Sequence, residues 1–298
     1  MLRRASRHVL LATLVLALVR PGLSGAAPGA ESAATMAGWS YAVIDAAGHV
    51  GQHLSLAIQP TTGWPHIAYY DLSQQDLKLA FPVAANGDCG PGTTWSCNSL
   101  DFVNNDDFGR WPSIAFNEAG QWGIAYLANF QASTAYRGIP ASSASELFWT
   151  NIEESGGLNS LVFSEEGVAE VAFGTIISES LKLRYATYVG TSGNCGAGKW
   201  KCLTVDELTA DNFATGLSIA ALDAIAPKTL IAYRGDGGGL EIAAHPALIG
   251  TANCGVVALI PTWWCFVIDS NVSLGAVSLA TLGGTNSISL TWTGVRRL

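Results

Sequence analysis

Short runs in which apolar and polar residues alternate recur along this chain, separated by turns rich in Gly, Asn, Asp and Thr. A period of two puts alternate side chains on opposite faces, so each run predicts a half-buried β-strand. The runs return in a fixed order. A serine-led strand at Ser55 reappears at Ser113, Ser160, Ser218 and Ser278, at intervals of 58, 47, 58 and 60 residues. Such intervals are too long for helical-hairpin repeats and suit one small sheet per repeat.

Four strands per unit is the resulting count. The first unit places them at 55–58, 66–70, 77–81 and 95–100, the second at 113–116, 123–126, 134–136 and 147–152. The third has 160–163, 169–173, 181–186 and 200–205, and the fourth 218–222, 230–233, 240–244 and 263–268. The units therefore span 53–101, 111–153, 158–206 and 216–269. A partial fifth unit at 276–298 shows two strands, and residues 39–45 match the outermost strand of a unit without the other three.

A lone four-stranded sheet cannot bury both faces, so the units must stack, and radial stacking gives an all-β β-propeller of antiparallel four-stranded blades. The orphan strand at 39–45 is expected to complete the last sheet, yet the strand that would join it to the fifth unit has no counterpart. Two readings stand: an incomplete member of a longer propeller, which is preferred, or a five-bladed ring with a defective closing sheet. In either, unpaired strand edges are an aggregation hazard.

The cysteines agree with this register. Cys89 and Cys97, Cys195 and Cys202, and Cys254 and Cys265 form local pairs, each first cysteine is followed by glycine, and the second unit lacks both the pair and the loop that carries it. They are assigned to disulfides across the loop between third and fourth strands. A zinc site would need ligands converging from different units, so no metal and no cofactor is expected.

Charge narrows the partners. At −8, with no basic cluster after the first residues, the chain is not expected to bind nucleic acid. Arg3, Arg4 and Arg7 precede an apolar run at 9–19 and small residues at Ser24 and Ala26, the three-part pattern of a secretory signal at 1–26. The run is shorter than the ~20 residues of a membrane span, so no retained span is expected. Residues 27–38 read as a mobile leader and 39–298 as one exported repeat domain in the extracellular space, the periplasm or at the cell surface, where disulfides persist.

The first unit carries the most distinctive text: Ser55-Leu56-Ala57, then Pro65-His66-Ile67-Ala68-Tyr69-Tyr70-Asp71, then Leu77-Lys78-Leu79-Ala80. It resembles the degenerate repeats of bacterial secreted β-propeller proteins with an SLA, PHIAYYD, LKYA pattern. Weaker copies stand at 169–173 with 181–186 and at 231–233 with 240–243. The resemblance implies a propeller that binds through its surface and carries no catalytic assignment. A looser similarity to sialidase and lectin-like propellers stops short of the former's repeated Ser-x-Asp-x-Gly-x-x-Trp turn.

Several residues suggest ligand contacts. His66, Tyr69, Tyr70 and Asp71 make a candidate polar aromatic patch, although alternating Tyr and apolar residues also make ordinary sheet faces. Arg137, Arg184 and Arg234 are candidate anion contacts if their rims align, as is Arg110. The serines recur too regularly for a catalytic nucleophile, which needs its own base and oxyanion donors. Glu153 and Glu154, like Glu165 and Glu166, are neighbours whose side chains point to opposite strand faces, so they do not form a glycosidase pair. Asp106 and Asp107 beside Asn104 and Asn105 lack EF-hand spacing, and Asn271 heads a glycosylation sequon. Trp39, Trp95, Trp149, Trp200 and Trp263 are expected to fill space between sheets. The expected function is a secreted or surface recognition or scaffold module for an extracellular glycan or protein, with a degenerate glycoside hydrolase or polysaccharide lyase as the enzymatic alternative.

Overall fold

The computed structural model describes residues 40–100, 107–128, 133–141, 147–177, 180–208, 216–222, 228–245, 252–257, 260–270, 272–281 and 288–296. The expected signal (1–26) and leader (27–38), Trp39, the acidic turn at 104–106 and the sequon at Asn271 lie outside these. The chain divides into two compact units, Met1–Tyr41 and Ala42–Leu298, and the described sheets lie in the second.

The described residues are all-β. The first sheet contains β1 (Val50–Ile58), β2 (Pro65–Asp71), β3 (Asp76–Pro82) and β4 (Trp95–Ser99), each hydrogen-bonded to the next. The second is β5 (Phe108–Phe116), β6 (Trp122–Ala128), β7 (Ser133–Gly138) and β8 (Phe148–Glu154), and the third β9 (Gly156–Phe163), β10 (Ala169–Ile177), β11 (Ser180–Tyr188) and β12 (Trp200–Leu208). The fourth holds β13 (Leu217–Ala221), β14 (Thr229–Arg234), β15 (Leu240–His245), β17 (Ile260–Asp269) and a short fifth strand, β16 (Cys254–Val257), beyond it. The last has β18 (Val272–Thr281) and β19 (Ile288–Arg296). All pairings are antiparallel meanders, as the short turns require. The added strand β16 is the one departure from four strands in the fourth unit, formed where its longer cysteine loop folds back on β17.

Successive sheets stack through their first strands, β1 on β5, β5 on β9, β9 on β13 and β13 on β18. Each interface sets small residues against large ones. Ala57 and Ala68 meet Ile114 and Ile124; Ala115 and Ala125 meet Leu161 and Val171; Val162 and Ala172 meet Ile219 and Ile231; Ala220 and Ala232 meet Leu279 and Leu290. Small opposite large lets sheets approach and interdigitate without voids, and these clusters are the core.

The recurrent serine closes each interface. A first strand has a bonded neighbour on one side only, so half its N–H groups need partners elsewhere. Ile114 N–H donates to Ser55 Oγ at 3.2 Å, Leu161 to Ser113 at 2.9 Å, Ile219 to Ser160 at 3.2 Å and Leu279 to Ser218 at 2.9 Å. Sequence spacing revealed the recurrence, but not that each hydroxyl accepts from the next sheet.

The orphan strand expected at 39–45 is not a strand over its described residues 40–45. Its end nevertheless occupies a repeated place. Asp45 Oδ2 accepts from Tyr69 OH at 2.6 Å and from Lys78, just as Glu153 at the end of β8 engages Arg184 of the third sheet and Asp206 in β12 engages Tyr233 of the fourth. Residues 44–45 thus stand to the first sheet as an outer strand stands to the sheet after it. Among the described residues β18 does not pack along β1, so no closure of the series is seen.

Candidate functional site

The patch expected from His66, Tyr69, Tyr70 and Asp71 does not form on the surface, because all four are 8% exposed or less. His66 lies between sheets, stacked on Phe81 at 5.3 Å and edge-on to Phe116 at 4.9 Å, and burial pushes its pKa down. Tyr69 is spent on Asp45, with its pKa raised by burial and that bond. Asp71 Oδ1 accepts from the N–H groups of Ser73 and Gln74, which builds the β2–β3 turn. The arginines fall on separate sheets. Arg137 lies in β7 opposite Trp149, Arg234 ends β14, and Arg184 in β11 binds Glu153 through Nε at 2.9 Å and Nη2 at 3.0 Å and donates to Thr204 from Nη1. Arg184 is thereby a clamp between sheets, not an open anion contact.

The disulfide loops are built to one plan. The three bonds are Cys89–Cys97, Cys195–Cys202 and Cys254–Cys265, as the spacing predicts. Such bonds suit an oxidising, extracellular environment. The residue before each first cysteine ties the loop to the strand bearing the second: Asp88 accepts from Cys97 N–H, and Asn194 and Asn253 accept from and donate to the backbones of Cys202 and Cys265. The glycine after it lies on the tryptophan two residues before the second cysteine. A Cβ at Gly90, Gly196 or Gly255 would come within 2.6, 2.4 and 2.4 Å of Trp95, Trp200 and Trp263, and all three glycines have positive φ. Trp200 and Trp263 are fully buried, as expected, whereas Trp95, with the same loop, is half-buried and Trp149, in the sheet without a loop, is 46% exposed. Asp88, Cys89 and Cys97 have ligand-like spacing, but both sulfurs are bonded to each other and offer no thiolate to a metal.

Acidic groups meet between the third and fourth sheets. Tyr233 OH lies 2.8 Å from Asp206 Oδ2 and 3.1 Å from Glu241 Oε2, and burial pushes both carboxyls and the phenol up in pKa. A hydroxyl carries one proton, so it serves both acids best when one is protonated. A raised carboxyl pKa makes the folded state bind more protons than the unfolded one, and stability contributed here falls as pH rises from the ordinary carboxyl range near 4 through the folded values. Asp206→Asn, which keeps an acceptor for Tyr233 and removes the charge, is expected to stabilise the protein more at pH 7 than at pH 4. Urea midpoints at the two pH values test this, and an equal shift at both would refute it. Asp45 works in the other direction: although burial raises its pKa, the Lys78 and Tyr69 bonds hold it below the usual range, so its contribution is lost as pH falls.

Among the described residues, half-buried aromatic faces and strained backbone come together where β1 and β5 begin to pair with their neighbours. His53 (φ 51°) and Trp111 (φ 46°) each sit two residues before a repeat serine, at register breaks between Gln52 and Ser55 and between Arg110 and Ser113. Positive φ is uncommon for a bulky residue and is held only where surroundings fix it. The bulges turn both rings to one place, 4.8 Å apart, with Tyr70 6.3 Å from His53. Arg110 lies over Tyr70 at 5.0 Å and is gripped by Asp107, Nε at 2.9 Å and Nη2 at 2.8 Å from Oδ2. Tyr70 is accordingly raised to about 12 by burial and by Asp107. Burial and the Arg110 charge lower His53, so its imidazole is neutral at pH 7 and both donates and accepts. Asn159 Nδ2 donates to Trp111 O at 3.0 Å, while its buried Oδ1 receives no hydrogen bond from the described residues. Ser55 and Ser113 spend their hydroxyls on the sheet interfaces, so His53 has no activated serine in either strand. The arrangement can stack a flat or pyranose-like face and hydrogen-bond it. Sequence reasoning missed it because His53 and Trp111 share no text, only their offset from the serine.

No protein-family model matches the chain, and the search of curated proteins finds no match. Among the described residues no helix is long and apolar enough to cross a membrane.

Proposed function

We propose that this is an exported recognition module in which the sheets are blades of a β-propeller, and that it binds a glycan through His53, Trp111 and the Arg110–Asp107 pair. The observation that carries this reading is the pair of left-handed residues holding two partly exposed rings 4.8 Å apart beside a fixed ion pair. Backbone strain at bulky residues concentrates at ligand sites, and sugar faces stack on Trp and His while their hydroxyls take polar neighbours. Disulfides favour an exported location.

Catalysis has less support. The carboxyls that meet at Tyr233 do so against a fully buried phenol, where a polysaccharide has no access, and they read better as an inter-sheet clasp. A glycan array followed by titration of intrinsic fluorescence tests the proposal. Saturable binding is expected, with Trp111→Ala weakening it by about tenfold or more and Trp149→Ala leaving it intact. Binding that is absent across the array, or indifferent to Trp111→Ala and His53→Ala, would sink it.

A further inference from the structure

At four successive interfaces one position is always covered. Ile114, Leu161, Ile219 and Leu279, each following its repeat serine, are 5%, 6%, 5% and 7% exposed and donate to the serine of the preceding sheet. Leu56 holds that position in the first sheet and is 55% exposed, flanked on its face by Leu54 at 65% and Ile58 at 53%. Among the described residues no serine-bearing strand lies on it. The complementary half is also present: Ser278 and Ala280 in β18, paired with Thr291 and Ser289 in β19, form an exposed face of small residues. That face matches Ser55, Ala57 and Ala68 in kind, as Leu56 and Ile67 match Ile114 and Ile124.

We propose that these two faces join copies of this chain head to tail, with Leu56 of one copy seated on Ser278 and Ala280 of the next and its N–H donated to Ser278 Oγ. The occupant follows from continuity: the contact is a fifth instance of an interface the chain already makes four times, with the same small-on-large packing and the same hydrogen bond. Among the described residues of one chain the two halves are not packed along each other, since β18 does not lie along β1. Ile44 and Asp45 stand beside the Leu56 face, on the side where an outer strand of a preceding sheet belongs. They border the docking face without covering it. A contact between two different faces is heterologous, so it adds subunits in a ring or a filament and not as an isologous dimer.

Sedimentation velocity of the full oxidised chain is expected to show species larger than the monomer that grow with concentration. Leu56→Asp places a charge on the docking face while leaving the internal interfaces alone. It is expected to weaken association by about tenfold or more, with an unchanged far-ultraviolet circular dichroism spectrum. In the existing interfaces the serine Oγ lies 2.9–3.2 Å from the partner N, which brings such residue pairs near the ~4.4–6.8 Å Cα separation of a disulfide. Mixing Leu56→Cys with Ser278→Cys under oxidation should therefore give a covalent dimer that neither variant gives alone. A wild-type monomer at every concentration, a dimer from either variant alone, or a double variant that crosslinks only within one chain would each overturn the proposal; the last would mean that the chain closes on itself.

Discussion

Trp200→Ala is expected to lower stability by about 3–5 kcal/mol, the range for deleting a large buried aromatic. Trp200 is fully buried and packs edge-on to Tyr136 at 5.1 Å and Tyr188 at 5.5 Å, so its ring joins the second sheet to the third. The cavity cannot collapse easily, because the Cys195–Cys202 bond holds the loop and Gly196 has no side chain to move in. The control is Trp149→Ala, on the outer strand of the sheet without a disulfide loop, where 46% exposure leaves less to lose; a loss clearly smaller than that of Trp200→Ala is expected. Urea unfolding followed by circular dichroism measures both. Equal losses would mean that the loop does not seal the tryptophan into the core.

Glu153→Ala should cost about 2–4 kcal/mol. Its carboxylate takes both Nε and Nη2 of Arg184, and the two side chains are 19% and 13% exposed. Removing the acid strands a guanidinium between sheets, with its bond to Thr204 on β12 kept, and breaking such a pair one-sidedly costs more than the pair itself contributes. The residual solvent access places the loss below that of a fully buried pair. The double variant Glu153→Ala with Arg184→Met should recover most of the stability, since no uncompensated charge remains. If the double variant is as unstable as the single one, packing and not charge explains the effect.

The strand pattern was legible because alternation depends on local backbone geometry: each of the strands expected at 55–58, 169–173 or 240–244 lies inside an observed one. The cysteine pairing was legible for a similar reason, being confined to single loops. The first strands start earlier than alternation suggests, at Val50 and Phe108, because bulges at His53 and Trp111 break the period while keeping the pairing. The same bulges hid the candidate site. His66, Tyr69 and Tyr70 were misplaced because a strand face that reads as polar and aromatic looks the same whether it meets solvent or another sheet.

By itself, the amino-acid sequence determined the repeat, the strands, the local disulfides and the recurring serine, all set by interactions within a few tens of residues. Only the tertiary structure decided which faces meet. Stacking buried Tyr70 under Arg110, paired Glu153 with Arg184, gave each serine hydroxyl its N–H from the next sheet and left Leu56 uncovered. Such contacts join residues up to 61 positions apart, and no local periodicity specifies their partners.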